Sequence, residues 1–417
     1  MQTNFTKDQL LDPDTRLAES ILRKCVHCGF CLATCPTYVL DGDERDSPRG
    51  RIYLMKEYFE TGEGATDVQI HLDRCLTCGS CETTCPSGVD YLQLVDLGRT
   101  RLGKESVRGE WSRFVRRALI TVMTNRKIFR LGLALGRSTR PLHGLLPQSL
   151  KSMASLLPSA DGGVRDVPQL SRPEGARKMR VALHLGCVQR DLRPEINAAT
   201  IRVLTKLGCE VIVPPGFECC GALADHLGEK GKAKTEAGRN IKAILEAGGE
   251  EGFDAIVSNA SGCGIALKDY GYLFRGDDQM RESAQMIADM TLDVSQVLAS
   301  LDLGPVRGGN GTRVAYQASC TLQHGQKITG VPKDLLRHFG YEVVEPKDPH
   351  LCCGFAGTYS ILEPKRSARL QARKSDNLAA LGADVVASGN IGCITGLGNA
   401  MDLPVKHMIE LIDEALE

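Results

Sequence analysis

From residue 179 to the C-terminus, apolar positions alternate between two rhythms. Short β-branched runs at 181–185, 210–213, 255–258, 314–317, 342–344 and 385–388 are separated by longer stretches with helical spacing, such as 194–207 and 364–381. Alternating strand and helix predicts parallel α/β layers. Residues 36–74 read as helical. Between 104 and 140, Trp111, Phe114, Val115, Leu119, Ile120, Val122, Phe129, Leu131 and Leu133 are interleaved with arginines at helical spacing, among them Arg113, Arg116, Arg117, Arg126 and Arg130, which predicts amphipathic helices. Residues 158–178, rich in Pro, Gly, Ser and charge, read as a linker. The chain therefore divides into 1–100, 101–178, 179–305 and 306–417.

The last two segments are copies of one another. Cys187, Cys219, Cys220 and Gly221 recur 133 residues on as Cys320, Cys352, Cys353 and Gly354, and Gly262-Cys263 recurs 130 on as Gly392-Cys393. Intervening lines match as well, Leu207-Gly208-Cys209-Glu210-Val211 against Phe339-Gly340-Tyr341-Glu342-Val343. One α/β layer per copy is expected, the two related by a pseudo-twofold axis. In such sheets binding groups collect at the carboxyl ends of strands, and Cys187, Cys263, Cys320 and Cys393 each follow a predicted strand.

The 417 residues include 51 Lys plus Arg, 51 Asp plus Glu and 17 Cys, with 42% apolar content. Balanced charge argues against a disordered chain and against nucleic acid as a partner. No apolar run approaches the roughly 18 residues of a membrane-spanning helix, and the first 30 residues lack the features of a secretion signal. The expected location is cytoplasmic, where disulfides do not persist, so metal binding or redox chemistry is the leading use of the cysteines. Neutrality is itself a cancellation. Residues 99–151 hold 13 Lys or Arg against Glu105 and Glu110, a local charge of +11 that leaves −11 elsewhere. Such a segment suits packing on a neighbouring domain, docking on a partner subunit, or contact with an anionic membrane. No dinucleotide or phosphate-binding glycine loop and no nucleophile elbow occur, so neither flavin nor NAD is expected on this chain, and no catalytic residue is assigned.

Two segments read Cys25-x2-Cys28-x2-Cys31-x3-Cys35-Pro36 and Cys75-x2-Cys78-x2-Cys81-x3-Cys85-Pro86. Three thiolates two residues apart wrap one [4Fe-4S] cluster, and the fourth, before Pro, reaches the other. The expected sets are Cys25, Cys28, Cys31 with Cys85, and Cys75, Cys78, Cys81 with Cys35. Zinc fits poorly, since it usually takes Cys pairs from separated turns. His27 and His71 lie near the motifs and are expected to hydrogen-bond beside a cluster rather than ligate it.

A Cys-Cys-Gly triplet brings neighbouring sulfurs to one centre only if the backbone turns sharply, which Gly permits. Cys187, Cys219, Cys220 and Cys263 form one set of four and Cys320, Cys352, Cys353 and Cys393 another. Each set suffices for an additional iron–sulfur cluster or for zinc. Cys209, replaced by Tyr341 in the second copy, reads as a buried small hydrophobe.

The whole pattern resembles a known family. The Cys-Cys-Gly segments are similar to the cysteine-rich domain of heterodisulfide reductases and of glycerol-3-phosphate, lactate and glycolate oxidising complexes. Cys25-Val26-His27-Cys28-Gly29-Phe30-Cys31, Pro48-Arg49-Gly50-Arg51-Ile52-Tyr53-Leu54, His71-Leu72-Asp73-Arg74-Cys75, Cys320-Thr321-Leu322-Gln323-His324 and Cys352-Cys353-Gly354-x2-Gly357-Thr358-Tyr359 narrow the resemblance to glycolate oxidase iron–sulfur subunits. The resemblance implies an α+β and α/β multidomain chain, a helical two-cluster ferredoxin domain followed by tandem Cys-Cys-Gly repeats. It also implies a non-flavin subunit of an oxidoreductase. A partner FAD-binding flavoprotein oxidises glycolate to glyoxylate, and this chain passes electrons toward quinone or the respiratory chain, peripheral on the inner membrane. The isolated chain is not expected to oxidise glycolate. A fifth thiolate of the fullest Cys-Cys-Gly pattern is absent, since Ala266 and Gly396 stand at its positions. That loss argues against five-thiolate clusters and disulfide-cleaving chemistry, while a four-ligand cluster, zinc, or an open iron position facing a quinone remain open. Lactate- and glycerol-3-phosphate-linked subunits share the motifs.

Overall fold

A computed structural model describes residues 1–105, 107–138, 166–305 and 308–416. Residues 158–165 of the expected linker, and the basic stretch from 139 to 151, lie outside them.

The N-terminal part is built of short helices around the cysteine motifs. Asp12 opens helix Pro13–Lys24 by accepting from the Thr15 amide, with Pro13 preset for the first turn. Ser47 and Pro48 start helix Pro48–Thr61 in the same way. With Pro36–Asp41 and Ala65–Asp73 these make the stretch between the motifs helical, as its sequence predicts. Ile21, Leu22, Met55, Leu72 and Leu94 close the core beneath helix Tyr91–Lys104.

Two sheets follow. The first holds β1 (Leu170–Ser171), β2 (Met179–His184), β3 (Cys209–Ile212), β4 (Ala255–Ser258) and β5 (Thr291–Asp293), ordered β1-β3-β2-β4-β5 and parallel except at β1. The second holds β6 (Arg313–Gln317), β7 (Glu342–Val344), β8 (Val385–Ser388) and β9 (Val405–His407), ordered β7-β6-β8-β9 and all parallel. The central strands β4 and β8 are buried along their whole length, which is why they read as unbroken apolar runs. Register follows the duplication. Val181 faces Ala255 and Val211 in one sheet, and Val314 faces Val385 and Val343 in the other.

Helix Pro194–Lys206 of the first repeat packs on Met408–Leu416 of the second, and Val331–His338 of the second packs on Val294–Ala299 of the first. Each contact joins the first long helix of one repeat to the last helix of the other, the reciprocity that a pseudo-twofold axis requires. One apolar core runs through both repeats and takes in Leu76 from the ferredoxin domain. Cys209 is fully buried within it. Strands β1, β5 and β9 have no counterpart in the predicted runs, and β1 falls inside the expected linker. They are only two or three residues long, and each is held as an edge by its neighbour.

Candidate metal centres

In the first motif the backbone turns left-handed at His27 (φ 56°) and Gly29 (φ 85°), and in the second at the matching Thr77 (φ 54°) and Gly79 (φ 73°). Each loop then enters a short helix, Phe30–Ala33 or Ser80–Thr84, which carries the third cysteine and releases the fourth beyond its end. Cys25, Cys28 and Cys31 line one small cavity together with Cys85, and Cys81 also touches it. Cys35 instead lies among Cys75, Cys78 and Cys81, whose charges act on one another and on it. The two motifs are therefore crossed. Cys28 is exposed, whereas Cys35, Cys75 and Cys81 are buried. Around the outer set stand the exposed side chains of Val26, Phe30 and Tyr53.

All eight thiols are free. Burial, then repulsion by neighbouring thiolates, pushes Cys78 and Cys81 well above the usual thiol range, and burial pushes Cys31 up to about 11. Crowded buried thiols are unfavourable by themselves and become favourable when iron binds them as thiolates. The donor sets thus fit [4Fe-4S] clusters.

In each repeat the chain runs from the central strand to one side of the sheet and then crosses to the other, so the crevice lies between β2 and β4, and between β6 and β8. Cys187 follows β2, Cys219 and Cys220 follow β3, and Cys263 lies in the first turn of helix Ser261–Lys268 after β4. Cys320, Cys352, Cys353 and Cys393 occupy the same places in the second sheet. Gly221 (φ 88°) and Gly354 (φ 85°) supply the left-handed turn behind each cysteine pair. Sulfurs of Cys320 and Cys352 approach to 3.8 Å and those of Cys353 and Cys393 to 3.3 Å. In the first repeat Cys187 contacts Cys219, and Cys220 contacts Cys263.

Both quartets line a single cavity of about 230 Å³. Among the described residues no group of three or more Cys, His, Asp or Glu is arranged around a single metal ion. A cluster does not ask for that, because each thiolate binds its own iron at a separate corner. The place of the missing fifth thiolate is filled in the second repeat, where a Cβ at Gly396 would stand 2.8 Å from the Phe355 ring.

The amphipathic segment forms helices Glu110–Thr124 and Arg126–Ser138, packed on one another, and Met123 and Phe129 from them line the same cavity. Its arginines reach in two directions. Arg108 and Arg116 pair with Asp73 of the ferredoxin domain, while Arg117 pairs with Glu229 and Arg126 with Asp191 of the first repeat. Trp111, Phe114, Leu131 and Leu135 remain more than half exposed on these helices.

Comparison with known proteins agrees with this geometry. A 4Fe-4S dicluster domain matches residues 24–89, and a cysteine-rich domain matches twice, at 181–268 and 314–398. The glycolate oxidase iron-sulfur subunit of Escherichia coli (strain K12) is 39% identical over the full length of both chains. The chain belongs to the glycolate oxidase iron–sulfur subunit family. A Bacillus subtilis (strain 168) protein named "Probable glycolate oxidase iron-sulfur subunit" is 33% identical over 96% of this chain and 95% of its own. Lactate utilization protein A of Oceanobacillus iheyensis is 29% identical over 56% of this chain and 97% of its own.

In this member of the family, several polar side chains at the cysteine sites escape a reading of the cysteine spacing alone. Arg51 is fully buried and donates to His71 O (2.7 Å), to Thr37 Oγ1 (3.2 Å) and weakly to Cys35 Sγ (3.9 Å). An arginine from between the motifs thus stands at these thiols, together with Arg99 from the start of the basic middle, which donates to Cys75 O at 3.0 Å. His71 turns its Nδ1 to Asp46 at 2.7 Å, a structural hydrogen bond. Glu236 lies against Cys219, and burial followed by the charge of Cys219 pushes its carboxyl up to about 7. Lys374, 2% exposed, lies near Cys352, Cys353 and Cys393 and donates to Asp348 O at 2.9 Å. Arg51 stands in the Pro48–Leu54 segment that carries the family resemblance, but no spacing rule marks it. Glu236 and Lys374 sit on ordinary helices and carry no signal at all.

Proposed function

We propose that the chain is the electron-transfer subunit of a flavin-dependent glycolate-oxidising complex. Cys25, Cys28, Cys31 and Cys85 would hold one [4Fe-4S] cluster, and Cys35, Cys75, Cys78 and Cys81 the second. Cys187, Cys219, Cys220 and Cys263, and Cys320, Cys352, Cys353 and Cys393, would hold further clusters or zinc. When bound, the clusters supply one-electron transfer. The observation that carries the reading is the crossed placement of Cys35 and Cys85, which keeps two four-thiol sites in one small helical domain. The outer site opens beside Val26, Phe30 and Tyr53, and the inner one is buried against the Cys-Cys-Gly repeats.

The chain's own residues exclude water from the inner site and place the Arg51 cation beside Cys35, offsetting negative charge there. An FAD-binding flavoprotein as the partner that oxidises glycolate, and a quinone as acceptor, belong to the same proposal; the relatives' names, glycolate oxidase iron-sulfur subunit, support a complex with other subunits. Among the described residues no helix is long and apolar enough to cross a membrane. Peripheral contact with an anionic inner membrane is supported by Trp111, Phe114, Leu131 and Leu135 exposed beside Lys127 and Arg130.

Anaerobic purification with the flavoprotein, followed by iron, sulfide and zinc analysis and EPR, tests the proposal. About sixteen Fe corresponds to clusters in all four sets and about eight Fe with zinc to clusters in the ferredoxin domain alone, at four iron per cluster. Glycolate should reduce the clusters only when the flavoprotein is present. Oxidation of glycolate by the isolated chain at the rate of the complex would overturn the reading.

A further inference from the structure

We infer that Cys78 and Cys320 form the junction between the ferredoxin domain and the Cys-Cys-Gly repeats, and that His324 is the positioning residue that holds it. The second repeat, rather than the first, then exchanges electrons directly with the ferredoxin domain. The inference rests on the electron-transfer reading above and adds to it a specific point of crossing.

The two domains meet at several places, among them Asp41 with Arg366 and Arg369 and Asp96 with Lys230, and one of the contacts lies at the cysteine loops. Cys78 packs against the core shared by the repeats, and Cys320 is part of that core. Cys78 and Cys320 are near neighbours, and Cys75, Leu76 and Thr77 of the second motif line the same cavity as Cys320. Directly after Cys320 the chain makes a single π-helical turn, Thr321–Gly325, a geometry that is rare and frequent at functional sites. This turn packs on helix Ser80–Thr84. Gly79 lets the backbones approach, since a Cβ there would already lie 3.4 Å from His324 Cβ.

His324 ties the two sides together. Its Nε2 lies 2.9 Å from the His350 carbonyl, in the loop that leads to Cys352, and its Nδ1 lies 2.7 Å from the Thr83 hydroxyl. A carbonyl can only accept, so Nε2 carries the proton; burial favours the neutral ring, so Nδ1 accepts from Thr83, whose hydroxyl takes this shorter bond over the Ser80 carbonyl at 3.2 Å. One neutral imidazole therefore links the helix carrying Cys81 to the loop carrying Cys352 and to the turn behind Cys320. On the first repeat's side, helix Ala222–His226 after Cys220 packs on helix Tyr91–Lys104, whose Arg99 donates to Cys75 O (3.0 Å), but the side-chain bond across that contact, from Lys230 to Asp96, touches no cysteine-bearing loop. An electron crossing this junction would pass from a centre that Cys35, Cys75, Cys78 and Cys81 would hold to one that Cys320, Cys352, Cys353 and Cys393 would hold. The first is oxidised as the second is reduced, and no bond or proton is exchanged.

The test uses the full-length protein, purified anaerobically with its clusters and reduced with dithionite, so that no partner is needed. The parent should show magnetic coupling between an inner ferredoxin cluster and a second-repeat centre. Cys352→Ser should abolish that coupling, and Cys219→Ser should leave it. His324→Ala should weaken the coupling and speed amide exchange at 79–84 and 321–326, with iron content unchanged. His324→Gln, which can still accept at one end and donate at the other, should largely restore both. If His324→Ala does not fold, Thr83→Val removes the same bond from the other side and should act in the same direction. Coupling lost with Cys219→Ser and kept with Cys352→Ser, coupling unchanged in every variant, or a second-repeat quartet without iron would each overturn the junction. Failure of glycolate and flavoprotein to reduce any cluster would instead count against the electron-transfer reading and leave the dithionite result standing.

Discussion

The Arg51 guanidinium and the Asp46 carboxylate meet at 3.4 Å with both side chains 1% exposed. Asp46 also accepts from His71 and from Arg74 and pairs with Arg366 at 3.7 Å, so it gathers four cationic or donor groups at the back of the inner cysteine set. Removing Arg51 leaves a buried carboxylate with fewer partners and strips the charge nearest Cys35. Arg51→Met is expected to cost about 3 kcal/mol, the lower end for a broken buried pair because His71 and Arg74 remain. Arg51→Lys should not repair it, since one ammonium cannot reach His71 O, Thr37 Oγ1 and Asp46 together. Anaerobic urea unfolding measures both, and a loss below about 1 kcal/mol would show the network to be redundant.

The two Cys-Cys-Gly turns are predicted to differ in tolerance. A Cβ on Gly354 would lie 2.4 Å from Leu370 Cβ and 3.0 Å from Ser367 O, whereas one on Gly221 would meet Ala233 O at 3.0 Å with nothing closer. Both positions are left-handed, which alone costs about 1–2 kcal/mol with a side chain present. Gly354→Ala adds overpacking of about 1–3 kcal/mol. Thermal unfolding and iron content should therefore fall further for Gly354→Ala than for Gly221→Ala. The reverse order would mean that the helix behind Gly354 yields more easily than its packing suggests.

Charge differs between the quartets in a way the duplication hides. Ala233 stands behind Gly221 and Ser367 behind Gly354, and counting on from each brings matching helical positions into line. Three residues on are Glu236 in the first repeat and Leu370 in the second; seven on are Asn240 and Lys374. Asn240 holds the Cys219 carbonyl at 2.7 Å, whereas Lys374 brings a buried cation to the second quartet. A cation favours the more negative, reduced form of a redox centre. Lys374→Met should lower the midpoint potential of the second-repeat centre and leave those of the ferredoxin domain in place, as read by EPR-monitored redox titration. No shift would mean that the ammonium is not felt at that centre.

The alternation of strand and helix in each repeat, and the expectation that Cys35 and Cys85 cross between the motifs, follow from patterns the chain displays openly. Val181–Leu183 and Val385–Ala387 are buried on both faces and must read as apolar runs, and a cysteine spacing of two, two and three followed by Pro leaves few ways to turn. Convergence of both quartets on one cavity was not legible, because it depends on how the repeats pack and not on either repeat. His324, Glu236 and Lys374 escaped for a related reason. Each acts across a gap in sequence, 241 residues in the case of Thr83 and His324, and no periodicity spans it. Strands β5 and β9 were missed because Thr291–Asp293 and Val405–His407 are too short and too polar to announce themselves.

His407 makes stability depend on pH. The ring is 1% exposed, and its Nδ1 accepts from the Ile409 amide at 3.1 Å, which requires the neutral form. Burial, with Arg193 adding to it, lowers its pKa from 6.5 to about 4. The unfolded chain takes up a proton as the pH falls through 6.5, while the folded chain resists until about 4. The stability this residue contributes is thus complete above 6.5 and lost progressively between 6.5 and 4, to a total of about 3 kcal/mol. His407→Asn keeps an acceptor for the Ile409 amide, since an Asn side chain bonds the amide two residues on, yet it cannot titrate. Parent and variant should be similar near pH 8, and the variant should gain relative to the parent as the pH is lowered to 5. Comparing the two by thermal unfolding cancels the acid sensitivity of bound clusters, which both share. Parallel curves from pH 8 to pH 5 would show that His407 does not set the acid limb.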